Sequence, residues 1–134
     1  MRLREHPQAV SVVRLPVDSP DPAWARGAPL ASVTRTRDEL SVVCPSSSLP
    51  ERLPGPVQGP FAVFEVEGPL DFALTGILAA LLRPLADGGT SVFALSTYDT
   101  DWVLVPAGSA APARAAWLAA GHEVLTGPPA KESS

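Results

Sequence analysis

Apolar and polar positions change period several times along the chain, and each change predicts an element. From Ala9 to Leu15, the side chains Val10, Val12, Val13 and Leu15 predict a strand. The stretch from Pro16 to Pro29 holds four prolines, both ends included, and a glycine, which leaves room for at most one helical turn, around Trp24. That tryptophan is expected to plug an open edge of the core. Leu30 to Thr36 and Glu39 to Cys44 predict two short extended runs around Arg37-Asp38, a hairpin pattern. Pro45 to Pro60 predicts a turn-rich connector with room for a short helix. From Phe61 to Glu67 the residues alternate as in a half-buried strand, and Gly68-Pro69 turns the chain.

Leu74, Ile77, Leu78, Leu81, Leu82 and Leu85 then recur at spacings of three and four, which predicts one apolar helical face. Asp71 is placed to cap that helix, Pro84 to kink or shorten it, and Gly88-Gly89 to stop it. Thr90 to Ser96 and Asp101 to Val105 predict a second strand pair. Ala110 to Ala120 predicts a short helix anchored by Trp117 and Leu118 and stopped by Gly121. His122 to Leu125 adds a last strand, and the residues from Gly127 onward read as a frayed tail. The second half thus runs strand, helix, strand, strand, helix, strand. This α+β order places two helices on one face of an antiparallel sheet.

An internal echo accompanies this order. At an offset of 61 residues Thr36 meets Thr97, Asp38 meets Asp99, Val42 meets Val103 and Pro45 meets Pro106. Shared punctuation of this kind favours duplication, with the helices of the first half degraded. The length agrees. Two independent domains of about 65 residues would each be marginal, so 134 residues suit a fused pair.

Composition removes several classes of function. Ten lysines and arginines against 14 aspartates and glutamates leave a formal charge of -4, with no basic patch for nucleic acid. No apolar stretch approaches the ~20 residues needed to cross a bilayer. The residues before Pro7 lack the apolar core of a secretory signal, and Cys44 is the single cysteine. Both fit a reducing cytoplasm. Sixteen prolines and ten glycines coexist with 46% hydrophobic residues, so they punctuate short elements and do not spell disorder.

Two segments carry candidate chemistry. In the first, Gly68 to Ile77, a strand-to-helix turn offers free backbone N–H donors to a carboxylate. The plain reading is that Asp71 merely caps the helix. Gly76, read inside a helix, costs about 1 kcal/mol against alanine, which either close packing or a ligand would justify. In the second, Ser96 to Asp101, two carboxylates and the three aliphatic hydroxyls of Ser96, Thr97 and Thr100 suit an ammonium group. Asp99 suits turn organisation, and Asp101 is the better ligand residue. Calcium-loop spacing is absent. So are zinc spacing, a nucleophile elbow and a phosphate loop, which leaves no metal, cofactor or enzyme reading. Cys44 reads as a small core hydrophobe.

Thr34 to Cys44, Gly68 to Leu78 and Ser96 to Val105 together resemble a bacterial family of tandem ACT-domain proteins, over roughly residues 9 to 126. The same domain type looks like that of animal cytosolic arginine sensors and of the regulatory part of aspartate kinases. The resemblance implies tandem ferredoxin-like units: a degenerate first unit at 1–59, a second at 60–127 and a flexible tail at 128–134. It also implies an amino-acid or similar small effector held between paired units. Gly68, Asp71, Thr75, Gly76 and Ile77 would meet its carboxylate side, and Ser96, Thr97, Asp99 and Asp101 its amino or side-chain end. Ser41 and Val42 would supply the other half's backbone edge. The proline-rich stretch 16–29 departs from the family's first helix and blurs ligand preference. The leading expectation is a non-catalytic sensing module acting through a homodimer or a regulated partner protein. The alternative is a structural interaction module with its cleft packed shut.

Overall fold

The computed structural model describes residues 1–67 and 76–127, which fall into two compact units. One unit takes the described residues 1–7, 62–67 and 76–127, and the other takes residues 8–61. The first seven residues therefore group with the later unit and not with the segment that follows them.

Residues 8–61 form a strand unit. It contains the later part of β1 (Arg2–Leu15), then β2 (Ser32–Arg35), β3 (Leu40–Pro45) and the start of β4 (Val57–Val66), in the order β2-β3-β1-β4. β3 is antiparallel to both neighbours, with Val42 opposite Val13 on one side and Val33 on the other. Alternation does the packing: Val13 and Leu15 meet Leu40, Val42 and Cys44 on one face. Trp24, Ala25, Leu49 and Val57 cover that core, the plugging role expected of Trp24.

Residues 16–31 contain no helix. Arg35 holds this stretch instead, donating to the Val17 carbonyl, to the Ser19 carbonyl at 2.9 Å and to Asp21 Oδ1 at 3.0 Å. β4 begins at Val57, four residues before the strand the sequence predicts. Gly59 permits this, because a Cβ there would lie 3.2 Å from the Val10 carbonyl oxygen.

The other residues form a helical unit with strand order β7-β1-β4-β6-β5. Its elements are Arg2 to Pro7 of β1, Ala62 to Val66 of β4, α1 (Ile77–Asp87), β5 (Phe93–Ser96), β6 (Asp101–Pro106), α2 (Ala110–Ala119) and β7 (Glu123–Thr126). Without β1 this is the ferredoxin-like α+β order, and β1 is inserted between its first and last strands. β1 runs parallel to β7, with Arg2 opposite Glu123 and Glu5 opposite Thr126.

Both helices pack on one sheet face, where Leu81, Leu85, Ala113 and Trp117 meet Leu3, Phe64, Val66, Val103 and Val105. Trp117 sets its ring edge-on to Phe64 at 4.8 Å, and its Nε1 donates to the Leu81 carbonyl at 2.8 Å. Each large apolar side chain buried here contributes roughly 1.5–3 kcal/mol.

The inserted part of β1 is polar at Arg2, Arg4, Glu5 and His6, and each of these side chains has a partner. Arg4 donates to Glu67 at 2.7 Å, Glu5 accepts from Arg114 at 2.7 Å, and His6 Nε2 lies 2.9 Å from Glu65 Oε1. These partners hold a run with little apolar content in a strand.

The two units repeat one supersecondary piece at an offset of 61. β2 recurs as β5, β3 as β6, and the 3-10 turn Ser46–Ser48 as Ala107–Ser109. Even the preceding prolines agree, Pro45 at φ -53° and ψ 137° and Pro106 at φ -51° and ψ 138°.

Candidate functional site

The β5–β6 hairpin builds the acidic candidate site from a threonine turn. Thr97 donates its N–H to the Thr100 carbonyl at 2.8 Å, and its Oγ1 accepts the Thr100 N–H at 3.1 Å. Turn organisation, expected of Asp99, thus belongs to Thr97. Asp99 is exposed and makes no hydrogen bond or ion pair among the described residues.

Below the turn, Ser96 and Asp101 are direct cross-strand partners. The Ser96 hydroxyl donates to Asp101 Oδ1 at 2.5 Å. Asp101 is half-buried, and among the described residues no cation pairs with it. A carboxylate oriented by a hydroxyl and lacking a cation can accept from an ammonium group.

The residue after Asp101 fixes the hairpin to the sheet. Trp102 donates from Nε1 to Thr100 Oγ1 at 2.8 Å, and its ring stacks on His6. Trp102 and His6 do not stand out in the sequence as a contact pair. The available signal was the spacing of Arg4 and His6 against Glu65 and Glu67, which places β1 beside β4.

Gly68, Asp71 and Thr75 lie outside the described residues. Gly76 is not inside the helix: it is the N-cap of α1, in the left-handed region at φ 78°. Among the described residues a Cβ on Gly76 would meet nothing within 4 Å, so its positive φ selects glycine there. Ile77 is the half-buried first residue of α1.

Ser41 and Val42 sit in the strand unit, and Val42 is fully buried in its core. β3 is paired on both sides, so neither residue offers the open backbone edge expected of it. Of the candidate residues, the structure brings Ser96, Thr97, Asp99 and Asp101 together on one hairpin.

Cys44 is fully buried, and that burial pushes its thiol above the ordinary value. This disfavours the thiolate that nucleophilic chemistry needs. Among the described residues no group of three or more His, Cys, Asp or Glu is placed to hold a metal. No described helix is long and apolar enough to cross a membrane.

The sequence pattern of the ACT domain matches residues 57–116, and an N-terminal-domain pattern of a second family matches residues 9–52. No curated protein matches the chain. Among solved structures, protein Atu0741 from Agobacterium tumefaciens is 32% identical, with a TM-score of 0.85 over 98% of this chain and 96% of that one. VC0802 from Vibrio cholerae, described as a possible transport protein, shares the fold at 17% identity and a TM-score of 0.65, over 85% of this chain and 84% of its own. The regulatory subunit of aspartate kinase from Thermus flavus does so at 13% identity and a TM-score of 0.61, over 89% and 96%. The ACT-domain match agrees with the non-enzymatic reading of the sequence. This chain is thus an ACT-domain-containing protein, of one family with Atu0741 and related in fold to the regulatory domains of aspartate kinases.

Proposed function

We propose that the chain is a small-molecule sensing module whose effector is an amino acid, and that binding changes its association with itself or with a regulated protein. The observation carrying this reading is the Ser96–Asp101 pair, a preset carboxylate with no cation partner among the described residues, inside the span matching the ACT domain. Asp101, with Asp99, Ser96 and Thr97, would receive the effector's ammonium group. Its carboxylate would meet the start of α1, which among the described residues has no side-chain cap. Gly68, Asp71, Thr75, Gly76 and Ile77 belong to that side of the proposed site. The fold shared with an aspartate kinase regulatory subunit supports a regulatory role.

We read the strand unit as a degenerate ACT unit, supported by the repeat at 61 residues. Self-association is expected as a homodimer. Light scattering over a concentration series tests it, and a constant monomer mass through high micromolar protein overturns it.

Thermal-shift and calorimetric titrations with each common amino acid test the effector. Because a millimolar Kd corresponds to only about -4 kcal/mol, the titrations must reach well above millimolar. Silence throughout overturns the reading. A structural interaction module is the second reading, favoured by Tyr98, which stands 95% exposed at the hairpin tip. Self-association without any amino-acid response would select it.

A further inference from the structure

The repeated hairpins share their turn and differ in their chemistry. Thr36 repeats the bonds of Thr97: its N–H donates to the Glu39 carbonyl at 2.9 Å, and its Oγ1 accepts the Glu39 N–H at 3.1 Å. The residues that distinguish the copies flank this shared frame.

Where β5 and β6 carry Ser96 and Asp101, β2 and β3 carry Arg35 and Leu40, again a cross-strand pair. Arg35 is spent on the carbonyls of Val17 and Ser19 and on Asp21. Leu40 is fully buried in the core of the strand unit. Three acids at this hairpin and the stretch Arg35 holds have arginine partners, Asp21 with Arg35, Asp38 with Arg37 at 3.9 Å and Glu39 with Arg14 at 3.7 Å, while Asp18 has none among the described residues. Asp99 and Asp101 have none among the described residues.

We infer that ammonium recognition is confined to the β5–β6 hairpin, so each chain takes one amino-acid effector, and that the β2–β3 hairpin is a structural copy without a ligand. This rests on the amino-acid reading above and adds its location and stoichiometry. The β2–β3 hairpin cannot substitute, because the position equivalent to Asp101 is an aliphatic core residue.

Backbone amide NMR of the full chain, titrated with each common L-amino acid, tests the inference. The expected result is saturable shifts at Ser96 to Trp102, with no response at Arg35 to Ser41. Asp101→Asn is expected to weaken those shifts at least tenfold while peak dispersion is retained. The double change Ser96→Arg, Asp101→Leu, which copies the chemistry of β2–β3, is expected to abolish them. Saturable shifts at both hairpins, or at neither while other amides respond, overturn the one-hairpin assignment and leave amino-acid binding standing. A folded protein whose amides respond to no amino acid overturns the underlying reading as well.

Discussion

The imidazole of His6 stacks on the indole of Trp102, with ring centroids 5.5 Å apart and planes inclined by 28°. His6 also bonds Glu65, and the two side chains are only 9% and 20% exposed. His6→Ala removes both the stack and the partner of a mostly buried carboxylate. The expected loss is ~1–3 kcal/mol, read from urea unfolding. A change below about 0.5 kcal/mol, the range of ordinary surface substitutions, would show that the contact contributes nothing.

Cys44 gives the protein an alkaline weakness. Burial raises its folded-state thiol above the unfolded value of about 9. Below that pH both states keep the proton, and the contribution to stability is constant. Above it the unfolded chain releases the proton first, so stability falls as pH rises through the folded value. Urea midpoints of the wild-type protein should therefore drop further between pH 7.5 and 10 than those of Cys44→Ala. Equal drops would show that the thiol does not titrate differently in the two states.

Two glycine substitutions should fail for different reasons. A Cβ on Gly55 would lie 2.2 Å from the Arg14 carbonyl oxygen, where Arg14 N donates to Pro56 at 3.1 Å. Gly55→Ala should cost ~1–3 kcal/mol through overpacking. Gly76→Ala meets no atom of the described residues and should cost ~1–2 kcal/mol through its positive φ. Asparagine tolerates that backbone region better, so Gly76→Asn should recover part of the loss while Gly55→Asn recovers none. Melting temperatures of the four variants decide it.

Asp101→Asn should weaken amino-acid binding by at least about tenfold, ~1.4 kcal/mol, with the fold kept. The carboxylate is half-buried in the free chain, so the loss should exceed the ~0–1 kcal/mol of an exposed pair. Calorimetry beside circular dichroism reads both quantities. A change under threefold rejects the ammonium role.

Much of this architecture was legible because period and punctuation act locally. The leucine spacing from Ile77 to Leu85 marked α1, and the valines of β3 and β6 marked strands. The repeat was legible through Thr36 and Thr97, whose hydroxyls close the same turn. Long-range matching was not legible. Arg4, Glu5 and His6 look like a solvated tail until Glu67, Arg114 and Glu65 are placed beside them. Gly76 misled because the apolar period continues through Leu74, while the conformation of one residue sets the start of α1. The backbone edge assigned to Ser41 and Val42 failed because pairing on both sides of a strand leaves no mark in its own residues. The acidic site was half legible: Asp101 was singled out, but its orientation by Ser96 depends on register.

The insertion of residues 2–7 between β4 and β7 sets an order of assembly during synthesis. Residues 8–61 are contiguous, so the strand unit has all its parts once residue 61 has left the ribosome. The segment from Arg2 to Glu5 is made earlier but must wait for Glu123 to Thr126, about 120 positions later, to cover its second edge. Closing so long a loop is entropically slow. Through most of translation, the stretch joining the two units is finished on one side of Gln8 and unsatisfied on the other. A chain stalled before residue 123 would carry that open edge, a template for pairing with other nascent chains.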